Sequence, residues 1–178
     1  MSVNVKKEIV SWIFTIAFAF ALAIFINKAV IVNATVPTGS MENTIMPKDR
    51  IIALRLSYVL GSPGRGDIAV FEYPDIAEGE KPVLYVKRII GLPGDTVEIK
   101  DGKVYINSSA EPLSEGSYLK ETPSGDFGPY EVPEGSYFMM GDNRNNSLDS
   151  RFWNNTFVKR DKILGKVIFR YFPGFKLM

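Results

Sequence analysis

The chain has 178 residues, 46% of them apolar, with 21 Lys plus Arg against 20 Asp plus Glu and a formal net charge of +1. That length suits one domain with an appended segment, and the near-neutral balance leaves no basic stripe for nucleic acid. Neither Cys nor His is present, which excludes disulfides, a Cys nucleophile, thiolate and imidazole metal sites, and the Ser-His-Asp triad. No loop carries alternating Asp/Asn ligands of the calcium-binding kind, so neither metal nor cofactor is expected. A hydrolase built from this chain must take its base from a lysine, a carboxylate or something rarer.

Ile9 to Ile26 is an uncharged run of 18 residues broken only by Ser11 and Thr15, and it continues past Asn27 and Lys28 into Ala29-Val30-Ile31-Val32. About 20 helical residues cross a bilayer core. Lys6 and Lys7 precede the run, and on the positive-inside rule they stay in the cytoplasm. The expected organisation is a cytoplasmic N-terminus (1–8), a transmembrane anchor (9–32) and an extracytoplasmic β-rich domain (33–178). A cleaved signal peptide, with Ala34 in the cleavage position, is the rival reading, but its apolar region would usually be about 7–15 residues. A buried core helix fits poorly, because the run is apolar all round.

After Ala34 the pattern changes to short strands between turns. Ile51–Leu56, Asp67–Phe71 and Val83–Ile90 read as strands, and Val97–Lys100 and Lys103–Ile106 flank Asp101-Gly102, a two-residue hairpin signal. Ser136–Met140 and Ile163–Tyr171 supply two more, while Pro63-Gly64, Pro93-Gly94 and Pro173-Gly174 mark turns. The fold class expected is all-β: an antiparallel sheet domain behind one N-terminal membrane helix. Residues 108–132, rich in Ser, Glu, Pro and Gly, read as a loop or a small surface ribbon.

Three places could hold chemistry. In Val36-Pro37-Thr38-Gly39-Ser40-Met41, a turn can expose a hydroxyl and aim backbone N–H groups at a developing oxyanion, although a Gly-Ser turn is more often a solvated loop. Lys87 shares a strand face with Val83, Tyr85 and Ile89; it reads either as an edge-strand gatekeeper or as a buried functional amine. Arg88 points to the opposite face, so no simple inside–outside alternation explains the strand. Gly141 to Trp153 packs three Asn, two Asp, two Arg and two Ser into one run. Such density suggests a hydrogen-bonded network that rigidifies a site, the plainer alternative being an Asx-rich turn at a β-corner.

Ser40-Met41 behind an apolar anchor, Tyr85-Val86-Lys87-Arg88-Ile89-Ile90-Gly91-Leu92-Pro93-Gly94-Asp95, and Gly141 to Trp153 resemble, in order and spacing, the three signature boxes of the bacterial type I signal peptidases. The second and third runs are long and specific; the Ser-Met pair alone is not. The resemblance implies a nucleophile at Ser40, a general base at Lys87, and an oxyanion hole from the Ser40 N–H and Thr38 hydroxyl. It further implies a lysine-orienting hydroxyl at Ser147 and a charged scaffold of Arg88, Asp142, Asp149 and Arg151. Val36, Met41, Ile45, Ile51, Tyr85 and Val86 match positions lining shallow pockets for small residues at −1 and −3 of the substrate. Substrates would be signal peptides of preproteins leaving the secretion channel, cut after Ala-x-Ala-type sequences at the outer face of the cytoplasmic membrane. Membrane lipid is the other expected partner, and nucleic acid is not one.

Three departures carry expectations. Glu42-Asn43 stands where a Pro commonly precedes the Thr, which predicts a less rigid turn after Ser40. Asn145 replaces a frequent Asp, a change of little weight if solvated, and Asn154 follows Trp153 where Gly is usual. A lysine base ordinarily titrates near 10.4, so it must be lowered to act near neutrality; burial and the neighbouring Arg88 are the expected causes. Two other classes share some features. A self-cleaving Ser/Lys regulator would need a soluble DNA-binding module in place of the apolar N-terminus, and a tethered β-domain without activity would leave the three boxes unexplained.

Overall fold

The structure, a computed structural model, describes residues 2–77 and 79–178, with side chains from Val5 onward. Helix α1 (Ser2–Phe25) continues through a π-type turn, Ile26–Val30, directly into strand β1 (Ile31–Thr35). Val5–Val30 has a mean hydropathy of 2.6 over its apolar window and buries none of that window against the protein. Its 26 residues rise about 39 Å at 1.5 Å each, more than the roughly 30 Å of a hydrocarbon core. Ile31 and Val32, which hydropathy assigned to the anchor, are instead the start of β1, and Val32 packs in the domain core. β-Branched apolar residues suit lipid and sheet equally, so the boundary was not legible from hydropathy. Cleavage after Ala34 would remove most of a strand that pairs along its whole length with β2 (Arg50–Leu54).

The remaining elements are α2 (Leu56–Val59), β3 (Ile68–Glu72), β4 (Leu84–Gly91), β5 (Thr96–Lys100), β6 (Lys103–Ile106), β7 (Phe127–Glu131), β8 (Ser136–Met140), β9 (Val158–Lys159), β10 (Ile163–Phe172) and β11 (Lys176–Leu177). The main sheet runs β1-β2-β10-β3-β4-β8-β9, with β11 against β10, and the smaller sheet runs β6-β5-β7. All these pairings are antiparallel, as expected for the all-β domain. The segment 108–132 is not only loop: its Phe127–Glu131 end becomes β7, zipped to β5. β1, β7, β9, β11 and α2 carried no sequence signal strong enough to place them.

Alternation along the strands builds a core on both faces of the main sheet. Ile68 and Val70 of β3 join Val32, Val36, Met41, Ile45, Ile51, Ala53 and Val167 on one side. Ala69 and Phe71 join Ile89, Tyr137, Met139, Trp153 and Ile163 on the other. Phe138 and Met140 of β8 meet Val97, Ile99 and Val104 of the small sheet. β4 pairs with β3 over Leu84–Arg88 and with β8 from Arg88 onward, and two of its consecutive side chains, Lys87 and Arg88, are buried. The edge-gatekeeper reading of Lys87 does not survive.

The small sheet reaches the main one at Gly91, where β4 carries a register shift. A Cβ there would stand 2.7 Å from Val97 Cγ2 and 2.9 Å from both Phe138 Cβ and Val132 Cγ2. Gly91→Ala is therefore expected to destabilise the domain by about 1–3 kcal/mol through overpacking. A thermal melt checks this, and an unchanged midpoint would contradict the close approach.

Candidate active site

The loop from Val36 to Asp49 leaves the sheet after β1 and returns at β2. Its neck is closed by the Val36 N–H donating to Asp49 O at 2.9 Å and the Lys48 N–H donating to Val36 O at 2.7 Å. Ser40 sits in a turn in which the Glu42 N–H donates to Gly39 O at 3.0 Å and the Ile45 N–H donates to Met41 O at 2.8 Å. Met41 and Ile45 pin its underside into the core. Asn43 takes φ +81°, a left-handed conformation for which Asn is well suited. These hydrogen bonds and the Asn43 backbone shape the turn at the place where a Pro is usual.

Lys87 projects from β4 opposite Ala69, and its Nζ donates a hydrogen bond to Ser40 Oγ across 47 residues of sequence. Lys87 is 3% exposed. Burial lowers its pKa from 10.5 to about 8; Asp149 and Asp142 oppose that shift and Arg151 assists it. Arg88, the cation expected to lower it, lies on the other face of the strand, in a two-point pair with Asp142 (2.8 and 2.6 Å) and donating to Gly66 O at 2.6 Å. Thr38 Oγ1 lies 3.4 Å from Ser40 Oγ on the exposed rim.

The register of β8 explains how the third run reaches this pair. Met140 stands opposite Arg88, so Gly141, the next residue, leaves the sheet beside Lys87. From Lys87 back to Leu84, among the described residues, β4 pairs with β3 on one side only. Asp149 accepts from the Gly141 N–H at 3.0 Å and grips Arg151 at 2.8 and 2.9 Å; Arg151 also donates to Arg144 O at 2.7 Å. Asp142 accepts from the Thr44 hydroxyl as well as from Arg88. Each buried carboxylate thus has a guanidinium partner, the condition under which buried charge is tolerated.

Ser147 is buried, and its Oγ has no protein partner. It presses against the bare α-carbon of Gly141, where any Cβ would also collide with Ser40 O. It stands in the wall of the site without a hydrogen bond to Lys87. Of the six residues matched to substrate pockets, Met41, Ile45 and Ile51 are 1%, 0% and 0% exposed, and Val36 is buried with them. They form the floor beneath the surface, while half-buried Tyr85 and Val86 offer accessible contact. Tyr85 stacks on Tyr73 at 4.6 Å and meets Trp153 edge-on.

Several contributors escaped the sequence reading. Glu115, in the supposed loop, is buried and ion-paired with Arg144, and Tyr118 lies 3.9 Å over the Arg88 guanidinium. Asn145 is exposed yet accepts from Ser124 N and Oγ at 2.9 and 3.0 Å, so its side chain ties that segment to the third run. The backbone N–H groups of Asn154 and Asn155 donate to Asp75 at 2.9 and 2.7 Å, which fixes the corner whose course lacked its usual Gly. Only the acidic or aromatic character of these partners was visible beforehand, since nothing local announces a contact 29 residues away.

Comparison with known proteins identifies the family. Residues 9–172 match the family model described as signal peptidase, peptidase S26. The probable signal peptidase I-2 of Synechocystis is 40% identical over 160 residues, covering 89% of this chain and 71% of that protein. Signal peptidase I of Bacillus licheniformis is 39% identical over 179 residues, covering 97% and 93%, and signal peptidase I S of Bacillus subtilis is 38% identical over 180 residues, covering 97% and 94%. A crystal structure of a signal peptidase I from Enterococcus faecalis, 34% identical, overlays 58% of this chain and 95% of that one with a TM-score of 0.46. The family match spans the apolar helix, the Ser40 turn, β4 and the Gly141–Trp153 run alike, and the chain belongs to the signal peptidase family, peptidase S26.

Proposed function

We propose that this signal peptidase cuts with Ser40 as nucleophile and Lys87 as general base, removing Ala-x-Ala-type signal peptides from preproteins at the outer face of the cytoplasmic membrane. The observation that carries the reading is the contact between a buried, pKa-lowered amine and a hydroxyl held on a rigid turn. The neutral Lys87 amine takes the Ser40 Oγ proton as the oxygen adds to the scissile carbonyl. The resulting ammonium gives that proton to the leaving amine of the mature protein as the peptide bond breaks, leaving an acyl ester on Ser40. The amine, neutral again, deprotonates the water that adds to the ester, and the ammonium returns that proton to Ser40 Oγ as the ester C–O bond breaks. The Ser40 N–H and Thr38 hydroxyl receive the oxyanion, and Ser147 orients the amine, a role that its unpaired buried hydroxyl leaves open to it.

The Leu84–Lys87 edge of β4, without a strand on its second side, supports binding of the signal peptide as an added strand. Tyr85 and Val86 would touch its small side chains above the buried floor of Val36, Met41, Ile45 and Ile51. The N-terminal helix makes this a membrane-anchored enzyme. Lys6 and Lys7 support an N-terminus in the cytoplasm; the sheet domain would then lie outside, where preproteins leave the secretion channel.

Ser40→Ala and Lys87→Met should each reduce cleavage of an Ala-x-Ala signal-peptide substrate by several orders of magnitude while the domain stays folded; near-normal turnover by either would sink the dyad. The wild-type rate should climb as pH rises through about 8, because only the neutral amine accepts a proton. Stability moves the same way. The folded pKa lies below the unfolded one, so the cost of burying the ammonium, about 3 kcal/mol, is fully present below pH 8 and is relieved as pH rises from about 8 towards 10.5. Lys87→Met should consequently melt higher than the parent at pH 7 and lose that advantage near pH 10. Asp149→Ala strands the Arg151 guanidinium and should cost about 3–5 kcal/mol along with activity; a melting curve like the parent's would remove Asp149 from the scaffold.

A further inference from the structure

We infer that Asn143, acting with Glu42, is a positioning residue that fixes the Gly39–Ser40 peptide so that the Ser40 N–H faces the substrate cleft. The inference rests on the proposed role of Ser40. Three hydrogen bonds carry it. Asn143 Nδ2 donates to Gly39 O at 2.9 Å and to Glu42 Oε2 at 3.3 Å, and the Asn143 backbone N–H donates to Ser40 O at 3.1 Å. Both of its side-chain partners are oxygens with no proton to give, so the amide can only present its nitrogen to them. An Asx turn would bond its own backbone nearby; this side chain reaches 104 residues back.

The consequence for the turn follows from peptide planarity. The Gly39–Ser40 bond is trans, and in a trans peptide the N–H points opposite to the C=O. Gly39 O is held on the protein side by two donors, Asn143 Nδ2 and the Glu42 N–H. The Ser40 N–H is thereby turned away from the protein, and among the described residues it donates to no protein acceptor. Ser40 O is anchored in the same direction, which fixes the second peptide plane of the nucleophile. Glu42 keeps the clamp in register: its side chain folds over the α-carbon of Gly39, where a Cβ would displace the carboxylate. Two signature runs far apart in sequence are joined here at the atom pair that sets the donor direction.

Asn143→Asp tests the assignment in the full-length protein, in detergent, with an Ala-x-Ala signal-peptide substrate. It removes the Gly39 donor and sets one carboxylate against another at Glu42. The expected result is a kcat lower by about 10²-fold, comparable to loss of an oxyanion donor, with KM within twofold. The double substitution Asn143→Asp with Glu42→Gln removes the charge conflict but not the missing Gly39 donor. It should recover the parent's melting temperature and leave kcat low. A parental kcat in Asn143→Asp, a loss confined to KM, or recovery of kcat together with stability in the double variant would each overturn the positioning role. If Ser40→Ala is inactive while Asn143→Asp turns over normally, this inference alone fails; full cleavage by Ser40→Ala takes the reading of the site down with it.

Discussion

Burial of one amine sets the terms for the rest of this structure. A lysine kept from water loses its preference for the charged state, and here it can be kept from water only because β4 is covered on both faces. Covering both faces forces the next side chain, Arg88, indoors as well, and a buried guanidinium needs a carboxylate. Asp142 supplies it, and Asp142 can stand there only because β8 leaves the sheet one residue earlier, at Gly141. The charged network is thus a consequence of sheltering Lys87, not a separate ornament on the fold.

The same network limits how far the amine's pKa can fall. Asp149 and Asp142 both favour the ammonium, and an unpaired carboxylate in either place would undo the effect of burial. Each is instead ion-paired, with Arg151 and Arg88 respectively. Of the two guanidiniums only Arg151 acts on Lys87, and desolvation, the largest effect, decides the direction.

Much of this was legible in the sequence where the signal was local. Strands β5 and β6 follow from a two-residue turn between β-branched runs, and Ser136–Met140 from an apolar stretch between turns. The Gly141–Trp153 run announced its network by density of polar groups. What could not be read was which cation faces which side chain: Arg88 is adjacent to Lys87 in sequence but opposite in space, whereas Arg151, 64 positions on, is the one that acts on it. Depth is hidden for a related reason: an apolar side chain such as Ile51 looks the same in sequence whether it is fully buried or near the surface, and its burial depends on the strands laid above it. β1 was lost because its apolar half is indistinguishable from the end of a lipid-crossing helix.

That seam between α1 and β1 has a mechanical meaning. The helix passes through Ile26–Val30 into a strand hydrogen-bonded along its full length to β2, and the Arg55 N–H donates to Val30 O at 2.8 Å, so the joint is stapled from both sides. Five strand residues rise about 17 Å, and Ser40 follows five positions later. The spacing between the end of the apolar helix and the Ser40 turn is therefore set by hydrogen-bonded strand and not by a free linker.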